Sequence, residues 1–142
     1  MIAELALIPP RIYTSPLPEF DYDQLDYGMN RSIERTSKGR LGAAWVAGGD
    51  GPGSFIVANT SDDNGETWSK PRLVTNSQSE NLPRHRSVLG GALWTDPSGR
   101  LWFFFSQRMD HFDGRGGVWE AFNGSIYRRM VSQGGVKPCC EE

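Results

Sequence analysis

The chain has 142 residues, enough for one ordinary domain that buries roughly two thirds of its unfolded surface. A net charge of −2 with no basic run argues against nucleic acid as a partner. No apolar run approaches bilayer length, which argues against a membrane span. With 17 Gly, 9 Pro, 7 Phe, 5 Trp and 4 Tyr, the composition favours short strands and tight turns, an all-β fold class.

Residues 1–27 mix apolar pieces with prolines. The spacing predicts a strand over 2–8. Pro9, Pro10, Pro16 and Pro18 then predict an extended connector over 9–20, since proline fixes φ and removes a backbone donor. Tyr22, Leu25 and Tyr27 sit among acids and read as a packed loop. The first residues carry neither a basic segment nor a sustained apolar one, so no secretory signal is visible and a cytoplasmic location is the default expectation. The two cysteines, Cys139 and Cys140, are adjacent, a poor geometry for a disulfide, and read as reduced.

A strand pattern begins at residue 28. Strands are predicted over 30–36 and 40–47, joined by Ser37-Lys38-Gly39. A glycine-rich loop, 48–53, leads to a third strand over 55–60, and a fourth follows near 72–75. Between the last two lies Ser61-Asp62-Asp63-Asn64-Gly65-Glu66-Thr67-Trp68. Asp63 can fold its carboxylate onto backbone N–H groups of its own turn. Gly65 suits a positive φ. Thr67 can hydrogen-bond back across the loop, and Trp68 offers apolar surface to lock the hairpin onto a core.

After a polar stretch, 76–84, the pattern restarts. Strands are expected over 87–95 and 100–106, joined by Asp96-Pro97-Ser98-Gly99, a sequence suited to a type I turn. A polar loop is predicted over 107–117. Two further strands, 118–122 and 125–131, flank Asn123-Gly124, a strong hairpin signal. Lys38-Gly39-Arg40-Leu41 and Ser98-Gly99-Arg100-Leu101 are sixty positions apart, so 28–75 and 86–131 read as a repeat of a four-stranded antiparallel unit. Residues 132–142 show no strand pattern and read as an irregular tail.

The spacing Ser61-x-Asp63-x-Gly65-x-Thr67-Trp68 resembles the Asp-box, or BNR repeat, of sialidase (neuraminidase) β-propellers, and the likeness extends over most of 28–122. The resemblance implies an incomplete propeller of about two blades, the N-terminal part of a larger one. Its further partners would be a carbohydrate and the remaining blades. A complete small β-sandwich is the alternative fold. In a blade the turns 37–39, 61–68 and 96–99 share one end, and the loops 48–53, 76–86 and 107–117 share the other. The second group is where a site is expected.

In that family an aspartic acid ahead of the third strand protonates the leaving group, and arginines grip the sugar carboxylate. Asp50 takes the place of the acid. Arg31, with Arg35 second, takes that of the first arginine, although Arg31-Ser32-Ile33 replaces the family's Arg-Ile-Pro. Arg84, His85, Arg86, Arg108, Asp110, His111, Asp113 and Arg115 are further candidates for substrate contact, each equally readable as part of a polar loop. No metal and no cofactor are expected: Asp110-His111-Phe112-Asp113 offers too few ligands. The tyrosine nucleophile and its glutamate have no counterpart, since Tyr13, Tyr22, Tyr27 and Tyr127 fall in other contexts. The implied function is an exo-sialidase-like glycoside hydrolase fragment, inactive alone. The alternative is a non-catalytic propeller binding glycans or proteins.

Overall fold

A computed structural model describes residues 5, 7–25, 27–49, 53–83, 85–112, 118–120, 125–132 and 135–137, with side chains up to Met109 except those of Asn30 and Leu89. The described strands are all antiparallel and form two five-stranded sheets. The first contains β1 (Arg11–Tyr13), β2 (Met29–Arg35), β3 (Leu41–Ala47), β4 (Phe55–Ser61) and β5 (Leu73–Asn76), in the order β1-β5-β4-β3-β2. The second contains β6 (Arg86–Thr95), β7 (Leu101–Phe112), β8 (Val118–Glu120), β9 (Ser125–Ser132) and β10 (Gly135–Lys137), in the order β10-β9-β7-β6, with β8 also on β7.

The first sheet is the predicted four-stranded meander with one strand added. Leu7 and Ile8 lie in a turn and a bend rather than in the expected strand. The expected connector instead supplies β1, where Arg11-Ile12-Tyr13 pairs with Asn76-Thr75-Val74. Prolines flank those three residues without interrupting them, so their β-branched and aromatic side chains decide the conformation. Short 3-10 turns follow at Pro18–Phe20 and Tyr22–Gln24.

The hairpins that open the two sheets are alike. Thr36 N donates to Arg40 O at 2.8 Å and Gly39 N to Thr36 O at 2.9 Å. Asp96 N donates to Arg100 O at 2.9 Å and Gly99 N to Asp96 O at 2.8 Å. Both glycines have positive φ, 88° and 82°, as a type I turn closed by a left-handed residue requires. The sixty-residue repeat therefore holds through the first two strands.

It then breaks. Strand β7 runs on to Phe112, because Gln107 and Met109 keep the buried alternation of Phe103 and Phe105. The predicted loop over 107–117 is thus strand for its first half. Strand β8 pairs with the far end of β7 and β9 with the near end, both antiparallel to it. The expected Asn123-Gly124 turn lies outside the described residues. The third strand of the second sheet is β9. Leu41 faces Ser61, whereas Leu101 faces Val131, a spacing of seventy residues rather than sixty. The fourth strand, β10, falls in what read as an irregular tail.

The sheets pack face to face. Ala44, Val46 and Ile56 of the first meet Val88, Phe103 and Phe105 of the second. The contact is also hydrogen-bonded. Leu93 N donates to Ser32 Oγ at 3.0 Å and Thr95 N to Glu34 Oε1 at 2.9 Å, so β2 side chains satisfy edge N–H groups of β6. The opposite face of the first sheet, with Ala47, Val57 and Val74, is covered by Phe20, Tyr13 and Leu25. Each valine fully buried in these layers is worth about 1.5–3 kcal/mol. Trp94 is 48% exposed on the outer face of the second sheet.

Candidate functional site

The two ends of the sheets differ in chemistry, and each is built by identifiable residues. The strand registers place 36–40, 61–72 and 96–100 at one end and the described residues 48–49, 53–54, 77–83 and 85 at the other. At the first end the turn after β4 closes on itself. The Asp63 carboxylate accepts from Thr67 N at 2.9 Å, Thr67 Oγ1 at 2.5 Å and Ser61 Oγ at 2.7 Å. Gly65 N donates to Ser61 Oγ at 2.8 Å, and Gly65 takes φ +92°. The Thr67 and Ser61 donors hold the Asp63 carboxyl down at about 2. Trp68 lies over the turn itself, its indole N–H on Gly65 O at 3.1 Å, rather than in either core cluster. These bonds consume the polar groups of the turn, so its role is structural.

A second carboxylate does similar work at the same end, where the sequence suggested only a turn. Asp96, 7% exposed, accepts from Ser98 N and Oγ, Arg100 N and Nε, and Trp102 Nε1 at 2.6–3.0 Å. The Ser98 hydroxyl and the Trp102 indole lead in pushing its carboxyl well below the usual range. The Asp-x-Ser-x-Arg-x-Trp spacing is the sequence signal for this network.

Arg35 belongs to this end and not to the loop end. Its Nη1 donates to Gly39 O at 2.8 Å and to Asn64 Oδ1 at 2.9 Å. Arg31 is the third residue of β2, four before Arg35 and toward the strand's other end, exposed within an irregularity in the pairing between Met29 and Ser32. Such bulges re-aim side chains. The ladder sets Met29 against Val46 and Ala47 against Phe55, so Arg31 lies near the residues that flank the 48–53 loop. Gly48 turns the chain there. It has φ +79°, and a Cβ would come within 2.6 Å of the Phe55 ring. Asp50 itself lies outside the described residues, as do Arg84, Asp113 and Arg115. Asp110 and His111 are strand residues near the end of β7.

Of the Arg84-His85-Arg86 group, the two described residues part company, one buried and one exposed. Arg86 is 3% exposed, with Nε on Ser77 O at 2.7 Å and Nη1 on Leu5 O at 2.9 Å and Ile8 O at 2.8 Å. Gln107 Nε2 adds a bond to Ile8 O at 2.9 Å. Arg86 thus fastens the N-terminal segment to the start of the second sheet. His85 is exposed, its Nδ1 3.2 Å from Gln78 Oε1. Arg108 pairs in register with Ser87 at the loop end.

Residues that the sequence reading left unassigned gather beside His85. Arg11 and Tyr13 of β1, with Asn76, Gln78, Glu80 and His85, line an open cleft of about 630 Å³. The short β1 segment was the missing signal, because without it nothing draws Arg11 toward residue 76. Comparison of the chain with protein-family models and with curated proteins gives no match.

Proposed function

We propose that the two sheets are consecutive blades of a sialidase-type propeller and that the chain contributes part of a glycoside hydrolase acting on a terminal acidic sugar. The observation that carries this reading is the opposition of the two ends. A complete Asp-box turn occupies one end, and Arg31 stands toward the other, near the residues flanking the loop that contains Asp50. The exposed planar guanidinium suits a carboxylate, and an aspartic acid in a glycine-rich loop suits proton delivery to a leaving oxygen.

The outer face of the second sheet supports further blades. Sixty residues on from Gly42 and Ala44, which face the second sheet, stand Trp102 and Phe104. Their rings stack at 6.1 Å on the same face as the exposed Trp94. The face that packs in the first sheet is therefore the aromatic face of the second, on which Trp94 is uncovered among the described residues. Its occupant would be the next blade, bearing the nucleophile.

The test is hydrolysis of a fluorogenic sialoside by the propeller completed with those blades. Asp50→Asn should lower kcat by about 10²-fold or more, and Arg31→Ala should raise KM. An unchanged rate in Asp50→Asn removes Asp50 from the mechanism. The chain alone should be inactive, and sustained turnover by it contradicts the need for further blades. A non-catalytic glycan-binding propeller is the second reading. It is favoured by the engagement of Arg86 and Arg35 with backbone carbonyls, which leaves fewer cations to grip a carboxylate.

A further inference from the structure

We infer that the cleft between β1 and the 76–85 loop is a second binding site, one for a neutral saccharide unit. It shares the glycan class with the function proposed above but not its location. The sheet order β1-β5-β4-β3-β2 puts β1 and the Arg31-bearing β2 on opposite edges. At about 4.8 Å per strand, they are roughly 19 Å apart.

The cleft, about 630 Å³, lies in the range of small-molecule sites. Its chemistry is mixed and balanced. The Tyr13 ring, together with Leu82 and Pro83, offers apolar surface of the kind a sugar ring covers with its C–H face. Arg11 supplies donors, Glu80 supplies acceptors, and the Asn76 and Gln78 amides belong to residues with both capacities. Among the described lining residues the opposite charges of Arg11 and Glu80 cancel. A ligand carrying many hydroxyls and no net charge matches that inventory, and a strong anion or cation would meet an opposing side chain.

The wall is pre-organised rather than a loose loop. Gln78 N donates to Asn76 Oδ1 at 2.9 Å, and Gln78 Nε2 bonds the Arg86 carbonyl. Leu82 N closes a turn onto Ser79 O at 3.2 Å, and the buried Arg86 holds Ser77 O from beneath. One edge of Tyr13 is fixed by Phe20, at a centroid distance of 5.6 Å. Little ordering is left to do on binding, which lowers its entropic cost.

The test is an amide-resolved NMR titration of the full chain with lactose and with N,N′-diacetylchitobiose, to about 10 mM, where millimolar affinity is visible. At least one sugar should shift the amides of Tyr13, Gln78, Ser79 and His85. Arg11→Ala and Glu80→Ala, both at exposed positions, should each weaken that binding at least tenfold while leaving the spectrum folded. Arg31→Ala should leave it intact. No shifts with either sugar overturns the inference, as do shifts confined to residues near Arg31 or shifts indifferent to both cleft variants. Cleft binding without sialoside hydrolysis by the completed propeller retains the site and discards the hydrolase reading; hydrolysis without cleft binding does the reverse.

Discussion

Asp63 and Asp96 each spend a carboxylate on closing a turn, and the acid limb of stability should report both. Their folded carboxyls sit below the ordinary value of 3.8, at about 2 for Asp63. A depressed folded pKa means that the unfolded chain binds the proton more readily. The stability they contribute is therefore fully present above about pH 4 and lost as pH falls toward 2. Unfolding followed by circular dichroism should show this loss, and Asp63→Ala or Asp96→Ala should flatten the slope in that window. Asp96→Ala should cost more at neutral pH, because the buried Asp96 carboxylate gathers five donors from Ser98, Arg100 and Trp102, and the half-buried Trp102 indole N–H loses its acceptor. The first hairpin offers the converse. Thr36 occupies the place of Asp96, and its buried Oγ1 has no partner. Thr36→Asp should recreate part of the network around Lys38 N and Arg40 N and raise stability by about 1 kcal/mol, measured by urea denaturation. The Asp63 turn was legible in the sequence because every residue in it has a local reason. The Asp96 network was missed although its Asp-x-Ser-x-Arg-x-Trp spacing is equally local, because Arg100 and Trp102 lie beyond the turn and read as strand residues.

Among elements, those fixed by local chemistry were read correctly and those fixed by distant contacts were not. Strands β2 to β5 follow alternation and turn signals, and their observed limits differ from the predicted ones by one residue at most ends. Strand β1 depends on pairing with residues 74–76, a long-range contact that nothing in Arg11-Ile12-Tyr13 announces. Strand β7 outruns its apolar core because Gln107 alternates with Phe105 and Met109, yet a buried glutamine looks polar in a sequence. Arg86 is the clearest case of a residue type misleading by its charge. It reads as a rim cation and serves as a buried clamp on three carbonyls. Arg86→Met should cost about 3 kcal/mol in denaturant unfolding, and it should increase hydrogen exchange in residues 5–13 more than in β3 or β4. Uniform exchange across the sheets would argue against the clamp.

For the whole molecule, the sequence correctly indicated an all-β chain with a hairpin repeated at sixty residues, and it separated a structural end from a loop end. Of the candidate contacts, the structure keeps Arg31 near the loop end and moves Arg35 to the Asp63 end. The partition follows from β2 itself, of which Arg35 is the last residue while Arg31 stands four residues earlier. On the outer face of the second sheet Trp94 is exposed beside the stacked rings of Trp102 and Phe104. The central claim is that the loop end of this assembly binds an acidic sugar through Arg31. The most direct measurement is an amide-resolved NMR titration of the chain with methyl α-N-acetylneuraminide. The predicted result is a set of shifts confined to residues 29–31 and 46–53 that disappears in Arg31→Ala. Absent shifts, shifts centred on the Asp63 turn, or shifts that survive Arg31→Ala would contradict it.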